Sequence, residues 1–203
     1  MKLVLMGSSR LLMLLLLLGS AVFAQEEYQG GWIERPFVEG GHVRLDFASA
    51  EYTVQAGAPD RVRIRWTPGA DAKAKDLKKL SVDVRVAGTQ ATIVTAGHAN
   101  HVHFVVEVPA RSDLYLRMHA GDVELKGIDG HKDVRMRAGD LKIAVRPESL
   151  ARAHASVTFG DLDARALGIS KGGIKRSFDW IGGGAYALDA RLFAGDITLK
   201  QLP

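Results

Sequence analysis

Three histidines stand together in Gly97-His98-Ala99-Asn100-His101-Val102-His103. On a strand beginning at Asn100, His101 and His103 share a side. Two imidazoles at i and i+2 can reach one zinc, copper or nickel ion, with His98 or a carboxylate as the third ligand. The next carboxylate, Glu107, lies two alternations further on, so the competing expectation is a polar strand edge ahead of a buried Val102, Phe104 and Val106.

Asp122, Asp140, Asp161 and Asp196 recur in one local setting, each after a glycine and before an aliphatic residue. Stacked in a row, their oxygens could take Ca²⁺, or a pair could serve as acid and base in glycoside cleavage. Calcium-binding repeats run at about nine residues per repeat, which this spacing does not match. An aspartate after a corner glycine is also explained by turn capping through hydrogen bonds to nearby main chain.

A third candidate is the stretch from Ser170 to Tyr186, where Lys171, Lys175 and Arg176 precede Phe178, Trp180 and Gly182-Gly183-Gly184. Cations beside aromatics can stack on sugars or hold anionic polymers. The competing expectation is that Phe178 and Trp180 cover one end of a stacked fold. Nucleophile signatures are missing: there is no Gly-x-Ser-x-Gly, no Ser-x-x-Lys after residue 24 and no phosphate loop. Nothing calls for a cofactor.

The elements that must position these residues are short strands. Val43, Leu45 and Phe47 alternate with His42, Arg44 and Asp46, and Val62, Ile64 and Trp66 with Arg61, Arg63 and Arg65. This period of two marks strands with one buried face. The pattern continues through Val82-Val84-Val86, Leu114-Leu116-Met118, Val123-Leu125, Val134-Met136, Leu141-Ile143-Val145 and Ile197-Leu199. Only Asp71 to Leu80 reads as helical. Arg61, Arg63 and Arg65 form a basic stripe expected to face solvent. Tyr28 to Phe37 reads as a lead-in strand.

The glycines of the four Gly-Asp-aliphatic segments, Gly121, Gly139, Gly160 and Gly195, are 18, 21 and 35 residues apart. Such an interval accommodates one turn of a β-solenoid built from short strands, with glycine at the backbone corner. The expected fold is therefore all-β, a single-domain β-solenoid or β-helix-like stack of short strands, with a β-sandwich as the alternative.

The stretch from Gly40 onward, with Gly41-His42-Val43-Arg44-Leu45 early and the Gly-Asp-aliphatic segments late, resembles the bacterial putative-adhesin family of unknown function. The resemblance implies an exported or envelope-associated β-solenoid or β-prism-like domain, and it transfers no catalytic residues. Ala50-Glu51 stands where a Gly-Asp would be expected.

Lys2 and Arg10 precede a leucine-rich run, Leu11 to Leu18, and Val22-Phe23-Ala24 follows. That order predicts a secretory signal over residues 1–24, a lead-in segment over 25–39 and a repetitive domain over 40–203. Removing 24 of 203 residues leaves 179, and 25 basic against 23 acidic side chains, so the charge of +4 shrinks to +2. Nucleic acid is not an expected partner on that balance. The chain has no cysteine, which excludes thiol catalysis, thiolate metal sites and a lipid-bearing cysteine. The expected product is a non-enzymatic periplasmic or cell-surface scaffold, not an integral membrane protein, that contacts an envelope protein or polysaccharide. Alternatives are a carbohydrate-active enzyme using the corner aspartates and a periplasmic metal-binding protein using the histidines.

Overall fold

The computed structural model describes residues 30–97, 101–171 and 174–202. The expected signal segment, residues 25–29 of the lead-in, and His98 lie outside them. Among the described residues the chain is mostly strand, as the alternation requires: β1 (Gly31–Pro36), β2 (His42–Phe47), β3 (Ala50–Ala56), β4 (Arg61–Pro68), β5 (Ser81–Ala87), β6 (Gln90–Ala96), β7 (Val102–Val108), β8 (Asp113–Lys126), β9 (Lys132–Ala138), β10 (Leu141–Val145), β11 (Leu150–Phe159), β12 (Leu162–Ala164), β13 (Ile169–Lys171), β14 (Ile174–Ile181), β15 (Tyr186–Ala194) and β16 (Ile197–Gln201). The helix expected over Asp71 to Leu80 is a single turn, α1 (Ala74–Leu77). One buried anchor, Leu77, is too little to hold a longer amphipathic helix on the core.

The strands form two sheets that share β8. Sheet 1 runs β5-β6-β2-β8-β9-β15-β11-β14, and sheet 2 runs β1-β4-β7-β3-β8-β10-β16-β12-β13. The chain crosses from sheet 1 to sheet 2 in six two-strand units: β2-β3, β6-β7, the two halves of β8, β9-β10, β11-β12 and β15-β16. Pairing between adjacent units is parallel in both sheets.

The units are not stacked in sequence order. β6 and β7 enter between β2 and β5 and between β3 and β4, which precede them in the chain. At the other end β15 and β16 enter between β9 and β11 and between β10 and β12. The outermost strands β1, β4, β5, β13 and β14 run antiparallel to their neighbours.

Inward residues of both sheets make one continuous core, from Val43 and Leu45 through Leu116, Val134 and Ile143 to Leu162 and Leu199. Tyr52 lies stacked between Phe47 and Phe104, with centroids 3.9 and 4.7 Å away. Its hydroxyl meets Thr95 Oγ1 at 2.6 Å, an oxygen that also accepts the Ala48 amide. Burial pushes the Tyr52 hydroxyl well above the ordinary tyrosine range.

Candidate interaction face

Four of the six units, β8, β9-β10, β11-β12 and β15-β16, turn from sheet 1 to sheet 2 at the Gly-Asp pair, and these corners stack. Gly121, Gly139, Gly160 and Gly195 have φ between 111° and 136°, a region that side chains avoid. A Cβ on Gly139 would fall on the Gly121 carbonyl, and one on Gly195 would fall on the Gly139 carbonyl. Ala50 and Glu51 pair with Gly121 and Asp122, so the departure read in the sequence occupies the same corner of the first unit.

The aspartates do not cap their own turns as expected. Three of the four carboxylates accept an amide from the neighbouring unit: Asp140 N donates to Asp122 Oδ1 at 2.9 Å, Asp196 N to Asp140 Oδ1 at 3.2 Å, and Asp161 N to Asp196 Oδ1 at 2.6 Å. The strand spacing of about 4.8 Å sets neighbouring corners one side-chain length apart, so a short acid can bridge them. Asp161, with no further unit beyond it, is held instead by Arg176 Nη1 at 2.9 Å. A row of carboxylates engaged in this way explains the repeat without a catalytic pair.

The outward residues of sheet 1 inherit this stacking. Four positions before the corner glycines stand Arg117, Arg135 and Arg191, and strand pairing places Arg117 beside Arg135 and Arg135 beside Arg191. Asp46 flanks the row on one side and Ser156 on the other. Two positions nearer the corner stand His119, Arg137 and Phe193. All of these line an open depression of about 1430 Å³.

The residue two places before each arginine of the row orients it. Asp133 takes Arg135 Nε and Nη2 at 3.0 and 3.2 Å, and Asp189 takes Arg191 Nε and Nη2 at 2.9 and 3.0 Å. The hydrogen bond from Arg191 holds the Asp189 carboxyl below its usual range, and Asp133 raises the pKa of Arg135. Tyr115 plays that part for Arg117, whose guanidinium lies 5.0 Å from the ring centroid. Among the described residues, neither Arg117 nor Arg137 has a carboxylate within ion-pair distance. Phe193, 51% exposed, meets Phe159, 50% exposed, edge-on at 5.4 Å.

The residues singled out from sequence are placed elsewhere. His103 sits 3.6 Å from Glu51, and His101 turns the chain at φ 62°. Among the described residues no three His, Asp or Glu side chains converge on a metal position. Lys171 ends β13, and Lys175 is exposed at φ 53°. Arg176, Phe178 and Trp180 project to the inner side of β14, with Phe178 only 4% exposed and Trp180 packed on the core. The Arg61, Arg63 and Arg65 stripe is not a free basic face: Glu34 pairs with Arg61 and Arg63, and Glu107 with Arg63 and Arg65.

The arginine row escaped the sequence reading because the three residues are far apart in the chain. The signal was present all the same, since 117, 135 and 191 keep the 18- and 56-residue offsets of Gly121, Gly139 and Gly195.

Fold and face together define a class, an all-β protein with a charged outer sheet face. No family model matches the chain, and no curated protein does. Among solved structures, a putative cell adhesion protein from Clostridium sporogenes is similar with a TM-score of 0.52 at 12% identity, over 86% of this chain and 100% of that one. A putative adhesin from Parabacteroides distasonis, at 10% identity over 84% of this chain and 70% of that one, reaches only 0.26. A putative lipid binding protein from the same species, at 6% identity over 87% and 98%, reaches 0.27. The first likeness is one of fold alone. Among the described residues no helix is long and apolar enough to cross a membrane.

Proposed function

We propose that this chain is a non-enzymatic, exported scaffold of the periplasm or cell surface, solenoid-like in build, that contacts an envelope protein or polysaccharide through the outer face of sheet 1. The observation that carries the reading is the row Arg117, Arg135 and Arg191, oriented by Tyr115, Asp133 and Asp189 on parallel strands. Oriented side chains on a stiff sheet lose little entropy when they bind. The in-register parallel pairing and stacked glycine corners favour the solenoid description over a sandwich of two independent sheets. Export rests on the leader-like residues 1–24.

In this reading Arg176, Phe178 and Trp180 close the end of the stack, on a strand whose Lys175 is exposed. The corner aspartates hold adjacent units together. Purified chain should be retained saturably on whole cells and isolated envelopes, without depolymerising any envelope glycan. Glycan turnover that Asp140→Asn and Asp161→Asn abolish would replace this reading with the enzyme. Zinc or copper titration that gives stoichiometric heat, lost on His101→Ala and His103→Ala, would replace it with the metal-binding protein.

A further inference from the structure

Resting on the surface role just proposed, the geometry points to an acidic polysaccharide as the ligand of the outer face of sheet 1. The arginines of the row are separated by single strand spacings of about 4.8 Å, so three guanidinium groups cover about 10 Å along a line perpendicular to the strands. A linear chain bearing one anionic group per sugar matches such a row, whereas a single compact anion would engage one arginine of it.

The clamps leave the row ready to bind. Asp133 and Asp189 take Nε and Nη2 of Arg135 and Arg191, and Nη1 of each has no partner among the described residues. Among the described residues Arg117 and Arg137 carry no ion pair, which leaves their guanidinium groups open to a ligand. The aspartates that orient the row lie farther from the corner than the arginines do, which separates a basic band from an acidic one on the same face. An anionic chain is thus held to one line. Guanidinium groups suit carboxylates and sulfates because two parallel N–H donors meet two oxygens.

Phe193 supplies the second element of recognition. It stands half-exposed at the edge of the depression, next along the same line from His119 and Arg137, and Phe159 braces it edge-on. An exposed aromatic ring held in place offers the apolar face on which a pyranose packs. Asp46 closes one end of the row and Ser156 the other, so the bound stretch is short.

The test is binding of the purified chain to immobilised polygalacturonate, dextran sulfate, neutral dextran and phosphatidylglycerol vesicles, at low and at physiological salt. Retention on the two anionic polysaccharides, weakened by salt and absent on neutral dextran, is expected. The double variant Arg117→Ala, Arg137→Ala should bind about tenfold or more weakly with little change in melting temperature, because among the described residues neither makes an ion pair and Arg117 loses only its exposed contact with the Tyr115 ring. Phe193→Ala should weaken polysaccharide binding further, and Trp180→Ala that stays folded should not. Equal retention of wild type and double variant, or preference for the vesicles, overturns the inference. Retention on neutral dextran or on envelopes that ignores the arginines leaves the surface role standing and removes the acidic ligand. Retention on none of these removes both.

Discussion

The Arg176 side chain, only 9% exposed, holds the Asp161 carboxylate at 2.9 Å and so ends the ladder in which every other corner aspartate accepts an amide from the next unit. Its Nε is buried and, among the described residues, has no hydrogen-bond partner, which fits a side chain drawn over the end of the core. The aliphatic stem covers apolar surface while the tip reaches the acid.

Removing the charge and removing the stem should therefore have different costs. Arg176→Met keeps the cover and should lose less than about 1 kcal/mol, since Asp161 is largely in water. Arg176→Ala loses both and should cost about 1–3 kcal/mol. Urea unfolding of the two variants measures the difference, and equal losses would show that the stem contributes nothing.

Gly139 is expected to be among the least replaceable glycines. Its φ of 111° and the Gly121 backbone against it leave no room for a methyl group. Gly139→Ala should cost at least about 2 kcal/mol, or unfold the chain. Gly183→Ala has open space around it and should be nearly neutral. Thermal melting of both variants is the check.

Lys132 carries a pH dependence. It takes an inward position beside Leu114 and Leu188, is 5% exposed, and donates from Nζ to the Gly130 carbonyl at 2.9 Å. Burial lowers its pKa from 10.5 to about 8, against the opposing pull of Asp129 and Asp113. Between those two values the unfolded chain binds more protons than the folded one, so this group adds stability as pH rises through the window and penalises folding below it. The penalty at neutral pH is about 3 kcal/mol at most. Lys132→Met should be more stable than wild type at pH 7, and the advantage should shrink toward pH 10 in urea titrations.

The insertion of β15 and β16 into the middle of both sheets makes the end of the chain structural. Ending the chain at Gly184 removes the strands between β9 and β11 and between β10 and β12. Loss of the strand signal in circular dichroism and rapid proteolysis of the whole chain are expected, not the trimming of one edge. Many contacts also join residues distant in sequence, so refolding should be slow for a chain of this size.

Much of the fold was legible in the residues. Val102, Phe104 and Val106 alternate with the half-buried His103, Val105 and Glu107, and all three are buried, because alternation records which side of a strand faces the core. β14 was harder to read. Arg176 stands in its inward row with Phe178 and Trp180, so a strand that covers the end of the core had the composition of a basic aromatic loop. Its charge is tolerable there only because Asp161 lies within reach, a neighbour 15 residues away that composition does not reveal.

The arginine row shows the same division. Asp133-x-Arg135 and Asp189-x-Arg191 can be recognised as outward i, i+2 pairs from sequence alone, and the glycine offsets hold them in register with the corners. That they stand side by side depends on β15 lying next to β9, and not next to β14, which precedes it in the chain.

Sequence alone therefore determined the all-β class, the inward and outward sides of the strands and the positions of the glycine corners, since each follows from local sterics and from a period of two. Tertiary structure alone decided the lateral order of the units, the amides that the aspartates accept and the arginines that become neighbours. Backbone ladders join strands through N–H and C=O groups that every residue but proline carries, so the choice of neighbour is settled by how the whole core closes.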